Sequence, residues 1–145
     1  MDGMGDVELA NKNAPINLAL AIIFDTEKKK ILITKRKKQA HVTGLIWCFP
    51  GGKIDYDDDL EILLEEKIME KLGLKVASLG SIFAETHSKN CEKLFSIYYL
   101  CEFIGGGEKA DGEFEEVKWV SPDEIERHFG SALHPALKEY LIGLK

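Results

Sequence analysis

The stretch Trp47-Cys48-Phe49-Pro50-Gly51-Gly52-Lys53-Ile54, the acidic run Asp55 to Asp59, and then Leu60-Glu61-Ile62-Leu63-Leu64-Glu65-Glu66-Lys67-Ile68-Met69-Glu70-Lys71-Leu72-Gly73-Leu74 carry most of what this chain discloses. Leu45 to Phe49 reads as a short strand, ended by Pro50-Gly51-Gly52. Glycines at such a turn allow positive φ and let backbone N–H and C=O groups lie close to a ligand. The acids then lead into a helix expected over about Asp59 to Leu72. Asp57 or Asp58 can cap it, and negative charge favours its positive end. Gly73 stops it as a C′ residue.

At ~100° per residue, Leu60, Leu63, Leu64 and Ile68 form one apolar stripe on this helix. Lys67 and Lys71 fall within the stripe, and Glu66 and Glu70 lie on its adjoining edge. Two like charges four residues apart cost roughly 0.2–0.5 kcal/mol in an isolated helix, so their placement calls for a reason. One is that the lysines border the stripe, extend to water and pair with Glu70. The other is that both ammonium groups face a pocket beside the Gly51-Gly52 turn.

Working outward, Ile16 to Phe24 is a nearly continuous apolar run, suited to a central strand. Asp25 to Lys28 reads as a turn, and the alternation over Lys30 to Arg36 as a hairpin partner. The basic residues Lys35 to Lys38 mark either a solvated strand end or the rim of an anion site. Beyond the helix, Lys75 to His87 and Leu94 to Ile104 read as strands joined by a polar loop, Ser88 to Lys93. A flexible loop is expected over Gly105 to Gly112 and a last strand over Glu115 to Val120. Ser121-Pro122-Asp123-Glu124 then starts a helix with Pro at the first helical position. A terminal helix is expected over His134 to Leu144, with Leu137, Leu141 and Leu144 on one face. Strands and helices mixed in this way predict an α/β fold, a mixed sheet flanked by helices.

The 145 residues suit one core. Residues 1–13 read as a flexible leader and 14–145 as one domain. With 19 basic and 25 acidic residues the formal charge is −6, which speaks against a nucleic-acid polymer or a membrane surface as partner. A local basic site for a small anion remains compatible with it. The longest apolar run, Leu18 to Phe24, is too short to cross a bilayer. The N-terminus is polar and acidic, unlike a signal peptide. Three cysteines, Cys48, Cys91 and Cys101, widely spaced and without a CxxC pair, read as free thiols of a cytoplasmic protein.

The segment Gly52 to Leu74 resembles the Nudix box, G-x5-E-x7-R-E-U-x-E-E-x-G-U, where U is a bulky aliphatic residue. Gly52, Ile68, Glu70, Gly73 and Leu74 match it. Trp47 to Gly52 looks like the family's W-x-x-P-G-G entry, and Phe114 to Glu124 like its late strand and helix start. The resemblance implies a MutT-like α/β/α sandwich on a mixed sheet. It also implies hydrolysis of a nucleoside diphosphate linked to another group. In such proteins, box glutamates and a backbone carbonyl at the Gly-Gly turn hold divalent metals such as Mg²⁺ that bind the pyrophosphate and activate water.

Four box positions depart from the pattern: Asp58 for the first Glu, Glu66 for the Arg, Lys67 for the Glu after it, and Lys71 for the second member of the E-E pair. Replacing two carboxylates by two ammonium groups moves the local charge by about four units. One unit-charge pair at 4 Å interacts by about 4 kcal/mol at an effective dielectric near 20. Carried over residue by residue, Glu70 and Glu66 are the catalytic candidates. Gly51, Gly52, Lys53, Lys67 and Lys71 are the substrate-binding candidates, and Glu70, Gly52, Asp58 and Glu116 the metal candidates. Asp55, Asp57, Asp59, Glu113 and Glu115 are further acids from which a relocated metal site could be drawn. His87 and His134 stand where some relatives contact the base. Trp47, Phe83, Tyr98 and Tyr99 offer rings for stacking, with core packing as the default.

Three functions stay open on this evidence. One is a pyrophosphohydrolase with weakened or rearranged use of Mg²⁺ or Mn²⁺. The second is a catalytically inactive module that binds a small nucleotide-type diphosphate with no cofactor. The third is an interaction domain without a ligand. The sequence leaves the oligomeric state unspecified.

Overall fold

The computed structural model describes residues 16–37, 47–54, 59–89, 92–107 and 114–145. The expected leader, the acids Asp55 to Asp58, Cys91 and Glu113 lie outside them. Among the described residues seven strands form one sheet: β1 (Ile16–Asp25), β2 (Lys30–Arg36), β3 (Trp47–Cys48), β4 (Gly51–Lys53), β5 (Leu74–Lys89), β6 (Glu92–Gly106) and β7 (Phe114–Val120). The order β3-β2-β1-β6-β5 forms its spine, with β4 on β1 and β7 on β2. β1 runs parallel to β6 from Ile16↔Leu94 to Phe24↔Glu102, while the other strand pairs are antiparallel.

The other edge of β1 is divided. Its end pairs with β2 at Phe24↔Ile31, and its first half pairs with β4 at Leu18↔Lys53, Ala19↔Gly52 and Leu20↔Gly51. Between them the Ala21 amide donates to the Pro50 carbonyl at 2.8 Å. The sheet therefore forks at β1, and the Gly51-Gly52 pair occupies the fork.

Helix α1 (Leu60–Leu72) covers one face. Its buried residues Leu64, Ile68 and Leu72 pack with Ala19, Ala21 and Ile23 of β1 and with Leu32, Leu74 and Val76. Full burial of each large aliphatic side chain contributes roughly 1.5–3 kcal/mol. Leu60 and Leu63 pack at the margin of this core. Asp59 caps the helix, its carboxylate accepting from the Ile62 amide at 3.2 Å, one or two positions later than the expected Asp58 or Asp57. Gly73 ends it in the left-handed conformation at φ 72°, its N–H returning to the Met69 carbonyl at 2.9 Å. The Glu65 carboxylate accepts from the Ser78 amide at 2.7 Å and clips α1 to β5 where a register shift follows Ser78.

The opposite face carries the C-terminal segment: a 3₁₀ turn (Pro122–Glu124), α2 (Ile125–Phe129), a second 3₁₀ turn (Gly130–Ala132) and α3 (Pro135–Ile142). The Ser121 amide donates to the Glu124 carboxylate at 3.0 Å at the start of this segment. Ile125, Phe129, Leu133, Leu137 and Leu141 close a second core over Ile22, Phe24, Ile31, Ile33, Phe49, Tyr98 and Val120. Helices on both faces of a mixed sheet make the α/β/α sandwich expected above.

Three expected boundaries shift. β5 and β6 pair as far as Ser88↔Lys93 and Lys89↔Glu92, so these four residues of the expected loop continue the ladder. β3 is confined to Trp47 and Cys48 among the described residues. The terminal helix ends at Ile142, and His134 caps it by accepting from the Ala136 amide at 3.0 Å.

Among the described residues Cys48 and Cys101 are free thiols. Burial, with the charges of Glu65 and Glu61 adding to it, pushes the Cys101 thiol up to about 12. Burial also raises the Tyr98 phenol well above its usual value, reinforced by the charge of Glu85 and by the hydrogen bond that the phenol donates to it at 3.0 Å.

Two predictions follow from this packing. A Cβ on Gly51, at φ +155°, would stand 2.0 Å from the Ala19 carbonyl oxygen and 2.9 Å from Leu20 Cα. The three nearest atoms to a Cβ on Gly52 would be lysine side-chain atoms at ordinary contact distances of 3.4–3.7 Å. Gly51→Ala should therefore cost ~2–3 kcal/mol or more and lower Tm by roughly 6–10 °C, with Gly52→Ala close to wild type in a thermal melt. For Tyr98, a folded-state pKa raised above the unfolded value means that stability is intact below ~pH 10 and falls as pH rises further, by up to ~1.4 kcal/mol per pH unit for this one group. Denaturant titrations between pH 9 and 11.5 should show a shallower decline in Tyr98→Phe than in wild type. Parallel declines would refute the assignment.

Candidate functional site at the sheet fork

The Gly51 carbonyl oxygen accepts a hydrogen bond from the Lys71 ammonium at 2.7 Å. The Lys71 nitrogen also lies 3.4 Å from where a Gly52 Cβ would stand, with Lys67 Cδ and Cε at 3.6 and 3.7 Å from the same point. The absence of a side chain at Gly52 thus makes the bed on which both lysine stems lie. Lys67 and Lys71 are half-buried, between the buried Leu64–Ile68–Leu72 stripe and the exposed Glu66, Met69 and Glu70. The i, i+4 spacing that should make them repel also brings both over the turn. Among the described residues neither Glu66 nor Glu70 has a hydrogen bond or ion pair, so a pairing of the lysines with Glu70 is not found there.

The Lys71 contact is a charge-assisted hydrogen bond of short length, a class that contributes about 1.5–3 kcal/mol net when shielded from water. Lys71 also sits in the last turn of α1, where a cation complements the helix dipole.

The other candidates are distributed unevenly. Lys53 is exposed at the end of β4, opposite Leu18. Glu116 is exposed on β7, opposite Lys35. Strand alternation places Glu116 with Lys118, whose ammonium lies 3.3 Å from His128 of the C-terminal segment, while Val117 and Trp119 pack on the α1-side core. Glu115 forms an ion pair with Lys35 at 3.3 Å, so this basic residue is part of a solvated strand end. Asp58 lies outside the described residues.

This arrangement can be tested against a divalent metal at the turn. Mg²⁺ and Mn²⁺ take clustered oxygen donors. Among the described residues no group of three His, Cys, Asp or Glu side chains converges to hold an ion. The carbonyl that would serve as the backbone ligand is occupied by an ammonium group. A dication 4 Å from one ammonium would be repelled by about 8 kcal/mol at a dielectric near 20. The described residues at the Gly51 carbonyl do not fit such an ion.

The aromatic candidates separate by burial. Tyr98 and Tyr99 are 8% and 6% exposed and belong to the two cores. Trp47 is half-buried with its ring 4.9 Å from that of His128, a contact the sequence did not suggest. Phe83 is half-buried with its ring 4.9 Å from that of His134. The side chain of His87 lies outside the description. Register places Gly51, Leu20, Tyr98 and Phe83 in one row across β4, β1, β6 and β5. At ~4.8 Å per strand, that row separates Phe83 from the turn by roughly 14 Å.

Comparison with known proteins agrees with this architecture. The NUDIX domain model matches residues 16–140. An 8-oxo-dGTP diphosphatase of Buchnera aphidicola subsp. Schizaphis graminum is 40% identical over 60 residues, covering 41% of this chain and 44% of that protein. A putative 8-oxo-dGTP diphosphatase of Bacillus subtilis is 29% identical over 105 residues, covering 72% of this chain and 66% of that protein. The matched stretches thus span less than two thirds of both relatives. The solution structure of the Escherichia coli ORF135 protein superposes with a TM-score of 0.73 at 24% identity, covering 92% of this chain and 93% of that one, a likeness of fold. No described helix is long and apolar enough to cross a membrane. The forked sheet, the helix laid over its Gly-Gly strand and the family match over residues 16–140 together place this chain in the Nudix family.

Proposed function

We propose that this protein binds the diphosphate of a small nucleotide-type ligand at the sheet fork, with Lys67 as the direct phosphate contact. The observation that carries this is the state of Lys67. Its stem lies along Gly52, it is half-buried, and among the described residues no carboxylate or other partner holds its ammonium group. A cation held beside half-buried backbone and unpaired among the described residues suits an anionic ligand. Lys53, exposed on the same strand, can add charge at the rim. Phe83 against His134 offers a half-buried ring surface for a base.

A second reading is hydrolysis of a nucleoside-diphosphate-linked substrate, with Mg²⁺ or Mn²⁺ held away from the Gly51 carbonyl. Glu70 and Glu66 favour it, since both are exposed on the edge of α1 beside the lysines and unpaired among the described residues. So do the activities named for the two relatives, each an 8-oxo-dGTP diphosphatase.

Calorimetry with ADP, ADP-ribose and pyrophosphate decides the first reading. Binding should weaken at least ~10-fold in Lys67→Ala, equivalent to about 1.4 kcal/mol, with Tm unchanged. Equal affinity in wild type and variant would remove Lys67 from the site. A parallel assay of nucleotide and phosphate release from nucleoside triphosphates, ADP-ribose and dinucleoside polyphosphates, with Mg²⁺ or Mn²⁺, should show no turnover. Metal-dependent turnover that disappears in Glu70→Gln would establish the second reading in place of the first.

A further inference from the structure

We infer that Lys71 is a resident cation: its ammonium group occupies the Gly51 carbonyl, keeps divalent metal ions off the turn, and leaves the fork to meet an anion without a bridging metal. Three observations carry this. The 2.7 Å bond puts the positive charge on the carbonyl oxygen itself. The nitrogen lies against Gly52 as well, so it fills the space beside the turn that a coordinated ion would need. Lys67, one helical turn earlier, lies on the same glycine, so a second ammonium group borders that space.

The chemistry of a tethered ammonium differs from that of a metal ion. It carries one charge, offers three N–H donors and cannot collect carboxylates and waters into an octahedral shell. One of its donors goes to the Gly51 carbonyl, which fixes the ammonium group at the floor of the fork. It can attract an anion, but it cannot lower the pKa of a bound water as a metal does. Its position is set by the fold: α1 is fixed over β4 by the Leu64, Ile68 and Leu72 packing and by the Glu65–Ser78 clip. The site therefore carries its own cation at any metal concentration.

The ligand part of this inference rests on the diphosphate reading above, whereas the metal part stands without it. The test separates the two. Mn²⁺ binding is measured by electron paramagnetic resonance on wild type, Lys71→Gln and Lys67→Glu/Lys71→Glu, with circular dichroism confirming the fold. Wild type should show no stoichiometric Mn²⁺ site at micromolar concentrations, and the double variant should bind one Mn²⁺ at least ~10-fold more tightly. Lys71→Gln, neutral and of similar reach, should tighten binding by a smaller factor and serves alone if the double variant does not fold. A wild-type site binding one Mn²⁺ at micromolar Kd, or identical Mn²⁺ affinity in all folded variants, overturns the inference. Pyrophosphate calorimetry in EDTA and in Mg²⁺ forms the second arm, and wild-type affinities should agree within about twofold. Binding that requires Mg²⁺ overturns the inference. Absence of binding in both buffers sinks the diphosphate reading, and the Mn²⁺ arm then decides the role of Lys71 by itself.

Discussion

The division of one edge of β1 is the constraint on which the rest of the structure depends. A strand has two hydrogen-bonding edges, and β6 takes the whole of one. On the other, β2 and β4 each take a part, and the chain from Pro50 to Ile54 must fit into what β2 leaves. That fit requires a backbone at position 51 with no Cβ, because the Ala19 carbonyl is too close for one. The same division opens the space in which the lysines of α1 reach the turn. Ala19 and Ala21, fully buried and small, lie on the β1 face that packs against that helix.

The two cores serve different ends. The α1-side core fixes the height and rotation of the helix, and with them where residues 67 and 71 project. The other core holds Phe49, Tyr98 and the C-terminal segment, and so supports the aromatic surface at Phe83 and His134. Glu85 and Tyr98 tie that surface to β6 through one partly buried hydrogen bond. Charge lies on one side of the fork and rings on the other, each anchored by its own packing.

Much of this was legible in the chain. The span of α1 follows from the spacing of Leu60, Leu63, Leu64 and Ile68 and from Gly73, and β1 from its unbroken apolar run. What stayed hidden depends on contacts remote in sequence. Several acids in succession could cap α1, and only the register of its first turn selects Asp59. Ser88 to Lys93 is polar enough to read as a loop, yet Ser88, Lys89, Glu92 and Lys93 extend the antiparallel ladder of β5 and β6. Helical geometry placed Lys67 and Lys71 near the pocket stripe but could not name a partner for them. One partner of Lys71 is a carbonyl 20 positions away, visible only once β4 is known to lie beneath the helix. The Glu65–Ser78 clip depends on a strand irregularity that no periodicity encodes.

Gly51 and Gly52 look alike in the motif, but different forces hold them. Gly51 is required by the closeness of two backbones, whatever happens in the fork, so a descendant of this fold that had lost all chemistry would still need it. The nearest neighbours of Gly52 are the lysine side chains above it, so its retention depends on what the fork must accommodate. In a lineage drifting away from catalysis, the first glycine would record the ancestry of the fold, and the second would record the use of the site.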